Sequence, residues 1–197
     1  MNKIKFGTDG WRAIIAEEFT VENVKRVAYA TALWLRKHYQ EPTAVVGNDC
    51  RFAGKLFADT TACVLASQGI KVYRSENTFV STPMVSLGTV KLQADAGIVI
   101  TASHNPAEYN GYKIKASYGG PATPAMIDEV EALIIPDDLM TALSSIPVAK
   151  EYFLNLSRTD KRNLLQWITL AKREETRQKR IREIVISAEN QRKPKQF

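Results

Sequence analysis

Apolar and polar positions follow two successive rhythms along this chain. Residues 3–7 and 12–15 are short β-prone segments around a turn, Gly7-Thr8-Asp9-Gly10. Thr20 stands where it can cap a helix to about Tyr39, because Val24, Val27, Ala28, Thr31 and Leu35 recur on one face. Residues 43–47 predict a strand, and residues 55–67 a helix carrying Leu56, Val64 and Leu65, terminated by Gly69. Residues 70–73 predict a strand, Pro83 sits where a helix would begin, and 97–101 read as the central, buried strand. A strand returns over 112–116, with Asn110-Gly111 before it as a tight turn, and Thr123-Pro124 opens a helix to about Leu133.

Strand and helix alternate throughout this stretch, which argues an α/β layered domain with a parallel or mixed sheet. After Ile134 the strand signal disappears. Asp137-Asp138 suit a first helical turn, and a second helix fits residues 147–156. Ser157-Arg158-Thr159-Asp160 reads as a capping box ahead of Leu164, Leu165, Trp167, Ile168 and Ala171. A fourth helix fits 174–188, followed by a polar tail over 190–197. The C-terminal part is thus expected to be a small all-helical module with a core around Leu164, Trp167, Ile168, Ile181 and Ile184. No Gly/Ser/Pro-rich linker separates it from residues 1–134.

Charge sharpens this division. The net +6 is concentrated at the end: residues 1–134 carry 14 Lys+Arg against 13 Asp+Glu, residues 135–197 carry 13 against 8. Such asymmetry often marks a change of module. The basic residues of the last third alternate with Glu174, Glu175, Glu183 and Glu189 and form no recognised DNA-binding motif, so a solvated helical face is expected and nucleic acid is not. No apolar run approaches the roughly 18 residues of a membrane span, and the N-terminus has no apolar targeting core. No membrane association is expected, and a cytoplasmic location is. Cys50 and Cys63 form no CxxC pattern, and His38 and His104 pair with neither at ligand spacing. Reduced, buried thiols are expected and a zinc site is not.

The candidate chemistry lies after the central strand. Thr101-Ala102-Ser103-His104-Asn105-Pro106, followed by Tyr109-Asn110-Gly111-Tyr112-Lys113, gathers a hydroxyl, an imidazole, an amide and an ammonium around one turn. Two readings fit. In one, Ser103 is a nucleophile or phosphate carrier with cationic donors around it. In the other, Asn105-Pro106 simply ends the ladder and Ser103 bonds backbone.

The motif Thr-Ala-Ser-His-Asn-Pro-x-x-Tyr-Asn-Gly-x-Lys resembles the phosphoserine loop of the α-D-phosphohexomutases, the phosphoglucomutase/phosphomannomutase family. Phe6-Gly7-Thr8-Asp9-Gly10-Trp11-Arg12 is similar to that family's opening signature, Val46-Gly47-Asn48-Asp49-Cys50-Arg51 to its strand-end Gly-x-Asp-x-Arg, and Thr82-Pro83 fits as a fourth match. All four fall within residues 1–134, which resemble the family's first domain. The expectation is therefore a three-layer α/β/α phosphohexomutase-like domain followed by the helical module. Asn163-Leu164-Leu165-Gln166-Trp167-Ile168, continuing through Arg180-Ile181, is similar to the C-terminal helices of the YdeI/OmpD-associated family, from about residue 135 onward. An abrupt join of two partial families suggests a fusion or a truncated, rearranged frame.

The resemblance implies reversible phosphoryl transfer on hexose phosphates, with Ser103 carrying the phosphate. Arg12 and Lys113 match family residues near that phosphate, Lys113 being suited to move a proton to or from a sugar hydroxyl. His104 is placed to donate to the phosphate, or else to bond backbone in the turn. Asp49, Arg51 and Asn105 are expected to bind the phosphate or brace the site. The resemblance also implies Mg2+, held by the phosphoserine oxygen of Ser103 and three aspartates of an Asp-x-Asp-Gly-Asp loop. That loop is not in this sequence, and neither is the sugar-reading Gly-Glu-x-Ser-Gly-His nor the phosphate clamp Arg-x-Ser-Gly-Thr-Glu-Pro. Asp137-Asp138 is too close-set to replace the aspartates. A catalytically incomplete mutase is expected. The alternatives are a non-enzymatic binding or regulatory module whose basic helices meet an acidic partner, and a fused or truncated product without activity of its own; self-association through the helical module is a further expectation.

Overall fold

A computed structural model describes every residue except 1–3, Thr8, 76–78 and Lys172, and leaves out the side chains of Asp137 and Arg158. Contacts divide the chain into two units, Met1–Ile134 and Ile135–Phe197. In the first, Thr20 caps α1 (Val21–His38) by accepting from the Asn23 amide at 3.2 Å, and Val24, Val27, Ala28, Thr31 and Leu35 are all buried. The strands are β1 (Trp11–Ile14), β2 (Thr43–Asn48), β3 (Lys71–Arg74), β4 (Ala96–Ile100) and β5 (Tyr109–Ala116). The remaining helices are α2 (Gly54–Ser67), α3 (Thr82–Lys91) and α4 (Pro124–Glu131). The strands form one mixed sheet of order β1-β5-β4-β2-β3, parallel between β3, β2 and β4 and antiparallel where β5 joins β4 and β1.

β4 is the middle strand. Its sequence, Ala-Gly-Ile-Val-Ile, is buried at every position, as a strand covered on both faces requires. Ile98, Ile100, Ala44, Val46 and Tyr112 pack with α1, α2 and α4, while Val45, Val80, Val85 and Val99 form a smaller cluster beneath α3. The result is three layers. The chain leaves β2 through α2 toward β3 on one side, then returns through α3 to β4 on the other side of β2. The order reverses between β2 and β4, and the carboxyl ends of strands at such a point are where α/β sheets build ligand sites.

Several local expectations are corrected. Asn110-Gly111 is not a turn: both residues lie inside β5, opposite Ala13 and Arg12 of β1. Leu56 of α2 faces outward at 53% exposure, and Phe57, Ala58, Thr61 and Leu65 are the inward positions. Both cysteines are exposed thiols rather than buried ones. The segment expected over 3–7 and the Thr8 of the opening turn lie partly outside the described residues; Ile4 to Phe6 form no strand, and Gly7 bridges Gly10.

The second unit contains α5 (Asp137–Ser144), α6 (Pro147–Asn155), α7 (Arg158–Thr169) and α8 (Glu174–Glu189), with α8 packed against the other three. Ser157 caps α7 through the Asp160 amide at 3.1 Å. Leu164, Ile168, Ile181 and Ile184 are buried with Leu139, Leu143 and Phe153. Trp167 is only half-buried; it lies edge-on to Phe197, 5.7 Å between centroids, and under the Arg180 guanidinium at 5.1 Å. The polar tail is thereby tied down, aided by Lys193 on Asp160 at 2.9 Å.

Candidate active site

The turn after β4 is built around Ser103. It adopts a left-handed backbone, φ 56°, which costs a non-glycine residue about 1–2 kcal/mol and has to be held from outside. Arg51, just beyond β2, holds it. Its guanidinium donates to the carbonyls of Ser103 (2.8 Å), Asn105 (2.6 Å), Pro106 (2.7 Å) and Tyr109 (2.9 Å). Asp49 sits 3.6 Å from the Arg51 Nε, accepts from the Arg51 amide at 3.0 Å, and is hydrogen bonded to the Thr101 hydroxyl. That hydroxyl in turn accepts from the Ser103 amide at 3.0 Å. The ends of β2 and β4 are thus cross-tied at the point of reversal. The Ser103 and His104 side chains are left exposed, with no hydrogen-bond partner among the described residues.

A second set of contacts comes from the N-terminal turn. The Gly7 amide donates to the Gly10 carbonyl at 3.0 Å, and Gly10, at φ 100°, lies directly on β5. A Cβ at Gly10 would come within 2.8 Å of both the Tyr112 carbonyl and Lys113 Cγ. This close seat carries Asp9 onto Lys113, whose ammonium donates to the Asp9 carboxylate at 2.5 Å. Arg12 reaches the same carboxylate at 3.4 Å and, with its other terminal nitrogen, the Asn105 side-chain oxygen at 3.3 Å. Burial would raise the Asp9 pKa, but the hydrogen bond and charge of Lys113, with the charges of Lys115 and Arg12, hold it below the usual carboxylate range. Lys115 is lowered by burial, and by Lys113, against the pull of Asp9.

Arg12, Asp49, Arg51, Ser103, Asn105 and Lys113 are therefore linked through contacts around one turn, and His104 stands exposed beside Ser103. Sequence reasoning missed Asp9 and the bracing role of Thr101. Both lie in motifs already singled out, but which partner each meets is decided by strand pairing far along the chain. Among the described residues no group of three or more His, Cys, Asp or Glu is placed to hold a metal ion. Asp9 and Asp49 are engaged, Asp9 by Lys113 and Arg12, Asp49 by Thr101 and Arg51. Among the described residues, these groups do not form a magnesium site of their own.

Residues 3–139 match the family model described as phosphoglucomutase/phosphomannomutase, alpha/beta/alpha domain I. The chain belongs to this family. Residues 132–191 match a second model, bacteriocin-protection, YdeI or OmpD-associated. A phosphoglucosamine mutase of Shouchella clausii is 38% identical over 135 residues, 68% of this chain and 30% of that protein. A phosphoglucomutase of Staphylococcus saprophyticus is 37% identical over 134 residues, 66% of this chain and 24% of that protein. Among solved structures, a Thermus thermophilus protein assigned as a phosphomannomutase superposes with a TM-score of 0.66 at 31% identity. That match covers 79% of this chain and 38% of the other. The chain spans about a quarter to a third of the length of these curated relatives. It has the phosphohexomutase domain I fold, and the relatives' names divide over which sugar phosphate they use.

Proposed function

We propose that this chain is a phosphoserine carrier of the phosphohexomutase type that does not complete the mutase cycle alone. The observation that supports this most is Ser103: an exposed hydroxyl at the end of the central strand, in a left-handed conformation held by four carbonyl contacts of Arg51. In the half-reaction, the Ser103 Oγ attacks the phosphorus of a hexose bisphosphate. The Oγ–P bond forms as the bond from phosphorus to the sugar oxygen breaks, and the proton lost by the serine replaces phosphorus on that oxygen. Lys113 is the group assigned to hand this proton over. Arg12, Asn105 and His104 supply donors to the phosphoryl oxygens, and Asp49 and Arg51 hold the turn rigid.

The reverse transfer, to the other hydroxyl of a reoriented sugar, needs charge stabilisation and sugar positioning from groups that the sequence does not supply. Each such loss costs several kcal/mol at a phosphoryl transition state, and every ~1.4 kcal/mol is tenfold in rate. The reading carries with it hexose phosphates as the ligand class, a cytoplasmic location, and self-association through the helical unit. Residues 1–134 and 135–197 are proposed to be modules of separate descent. A coupled assay with magnesium should detect no conversion of hexose 1-phosphate to hexose 6-phosphate. Turnover that disappears in Ser103→Ala would overturn the incompleteness.

The second reading is a non-enzymatic binding module. It draws on Asp9 and Asp49, the carboxylates in contact with this site, both being engaged by protein groups: Asp9 by Lys113 and Arg12, Asp49 by Thr101 and Arg51. It predicts that Ser103 stays unmodified under the same conditions.

A further inference from the structure

Lys113 and Lys115 lie two residues apart on β5, so their side chains leave the same face of the sheet. Both are almost fully covered, at 4% and 6% exposure. Arg12 comes to the same place from β1. Like charges so close repel unless something negative stands among them, and the one carboxylate in contact, among the described residues, is Asp9. It receives Lys113 at 2.5 Å and Arg12 at 3.4 Å, and Lys115 stands two residues along β5 on the same face as Lys113. The Lys115 ammonium has no hydrogen-bond partner among the described residues. Three cations against one carboxylate leave a surplus of two positive charges, which matches a phosphate monoester dianion.

We infer that Asp9 is the positioning residue of this site: it gathers Lys113, Lys115 and Arg12 into a fixed cluster whose remaining charge faces the phosphoryl group. The inference rests on the reading of Ser103 as the phosphate carrier. The opening turn then has a physical purpose. Gly10 brings the chain down onto β5 closely enough for the short Asp9 side chain to reach Lys113, whereas a residue with a Cβ there would hold the turn away.

The test uses the full chain and the variants Asp9→Asn and Asp9→Glu. Competitive labelling of amines by acetic anhydride, read by peptide mass across a pH series, gives the midpoint for Lys115. Without the carboxylate that midpoint should fall in Asp9→Asn and return in Asp9→Glu. A midpoint that is the same in all three proteins overturns the inference. In parallel, the initial rate at which hexose 1,6-bisphosphate adds a phosphoryl group to Ser103 should fall at least tenfold in Asp9→Asn and largely recover in Asp9→Glu. Wild-type protein that takes up no phosphoryl group counts against the carrier reading, while the labelling still decides the role of Asp9. If Asp9→Asn loses its cooperative melt, Lys113→Met serves instead: the Asp9 carboxyl, followed by carbon NMR, should titrate higher than in wild type. No change there overturns the inference as well.

Discussion

Replacing Arg51 with alanine should open the Ser103 turn while leaving the α/β core standing. Four backbone carbonyls lose a charged donor. Those of Asn105 and Tyr109 are in partly buried contacts, while those of Ser103 and Pro106 face solvent and can be rehydrated. A hydrogen bond from a charged group contributes about 1.5–3 kcal/mol, so the two enclosed bonds together are worth about 3 kcal/mol at the low end. That energy also offsets the left-handed backbone of Ser103, so its loss acts where the turn is already strained. An opening made easier by ~3 kcal/mol is about a hundredfold more frequent. Hydrogen exchange should therefore accelerate by that order at the amides of Ser103, Asn105 and Tyr109. These are paired with the Thr101 hydroxyl and with the Ala102 and Pro106 carbonyls. The main thermal transition should move far less, because the ladder bonds that join β4 to β2 and β5 are untouched. Arg51→Lys should fall between, since one ammonium cannot reproduce the fork. Unchanged exchange at these amides in Arg51→Ala would refute the claim that Arg51 holds the turn.

Other expectations follow from single contacts. Gly111→Ala would place a Cβ 2.5 Å from the Thr101 carbonyl and 3.0 Å from that of Trp11, both backbone, so a loss of about 2–3 kcal/mol is expected as a clearly lowered melting temperature; an unchanged melt would contradict it. In the helical unit, Arg177 grips Asp138 at 2.6 and 2.9 Å, and the Asp138 side chain is 7% exposed. Arg177→Met should destabilise that unit by about 3 kcal/mol in denaturant titration, and Arg177→Met with Asp138→Asn by less, because no charge is then stranded. Hydrogen bonds from Lys37 and His38, helped by their charges, hold the Glu129 carboxyl down at about 2, against an ordinary 4.5. A depressed folded-state pKa gives stability that is present above the ordinary value and lost as pH falls through the folded one. Glu129→Gln should flatten the acid limb of the stability profile between about 4.5 and about 2, and an unaltered limb would count against the contact.

The layered fold could be read from the sequence because each strand and helix is signalled locally: an N-cap at Thr20, a buried run over Ala96–Ile100, prolines at helix starts. Asn110-Gly111 shows where that fails. Asn-Gly is among the strongest local turn signals, yet here pairing with β1 overrides it. The glycine is needed for close packing rather than for turning, and the Asn110 side chain donates to the Phe52 carbonyl at 3.3 Å. Leu56 fails for a similar reason. The inward face of α2 is set by Phe57 and Leu65, and apolarity alone cannot distinguish Leu56 from its neighbour. At the site, Ser103 and Lys113 stand out as motif residues, whereas the contact between Asp9 and Lys113 spans most of the α/β unit and leaves no trace in local spacing.

The central claim is that Ser103 receives a phosphoryl group. The direct measurement is the intact mass of the purified full chain before and after incubation with a hexose 1,6-bisphosphate and magnesium, with Ser103→Ala in parallel. The account predicts a gain of one phosphoryl group in the wild type, mapped to Ser103 by peptide fragmentation, and none in the variant. A wild-type mass that does not change, or a gain that persists in Ser103→Ala, would contradict it.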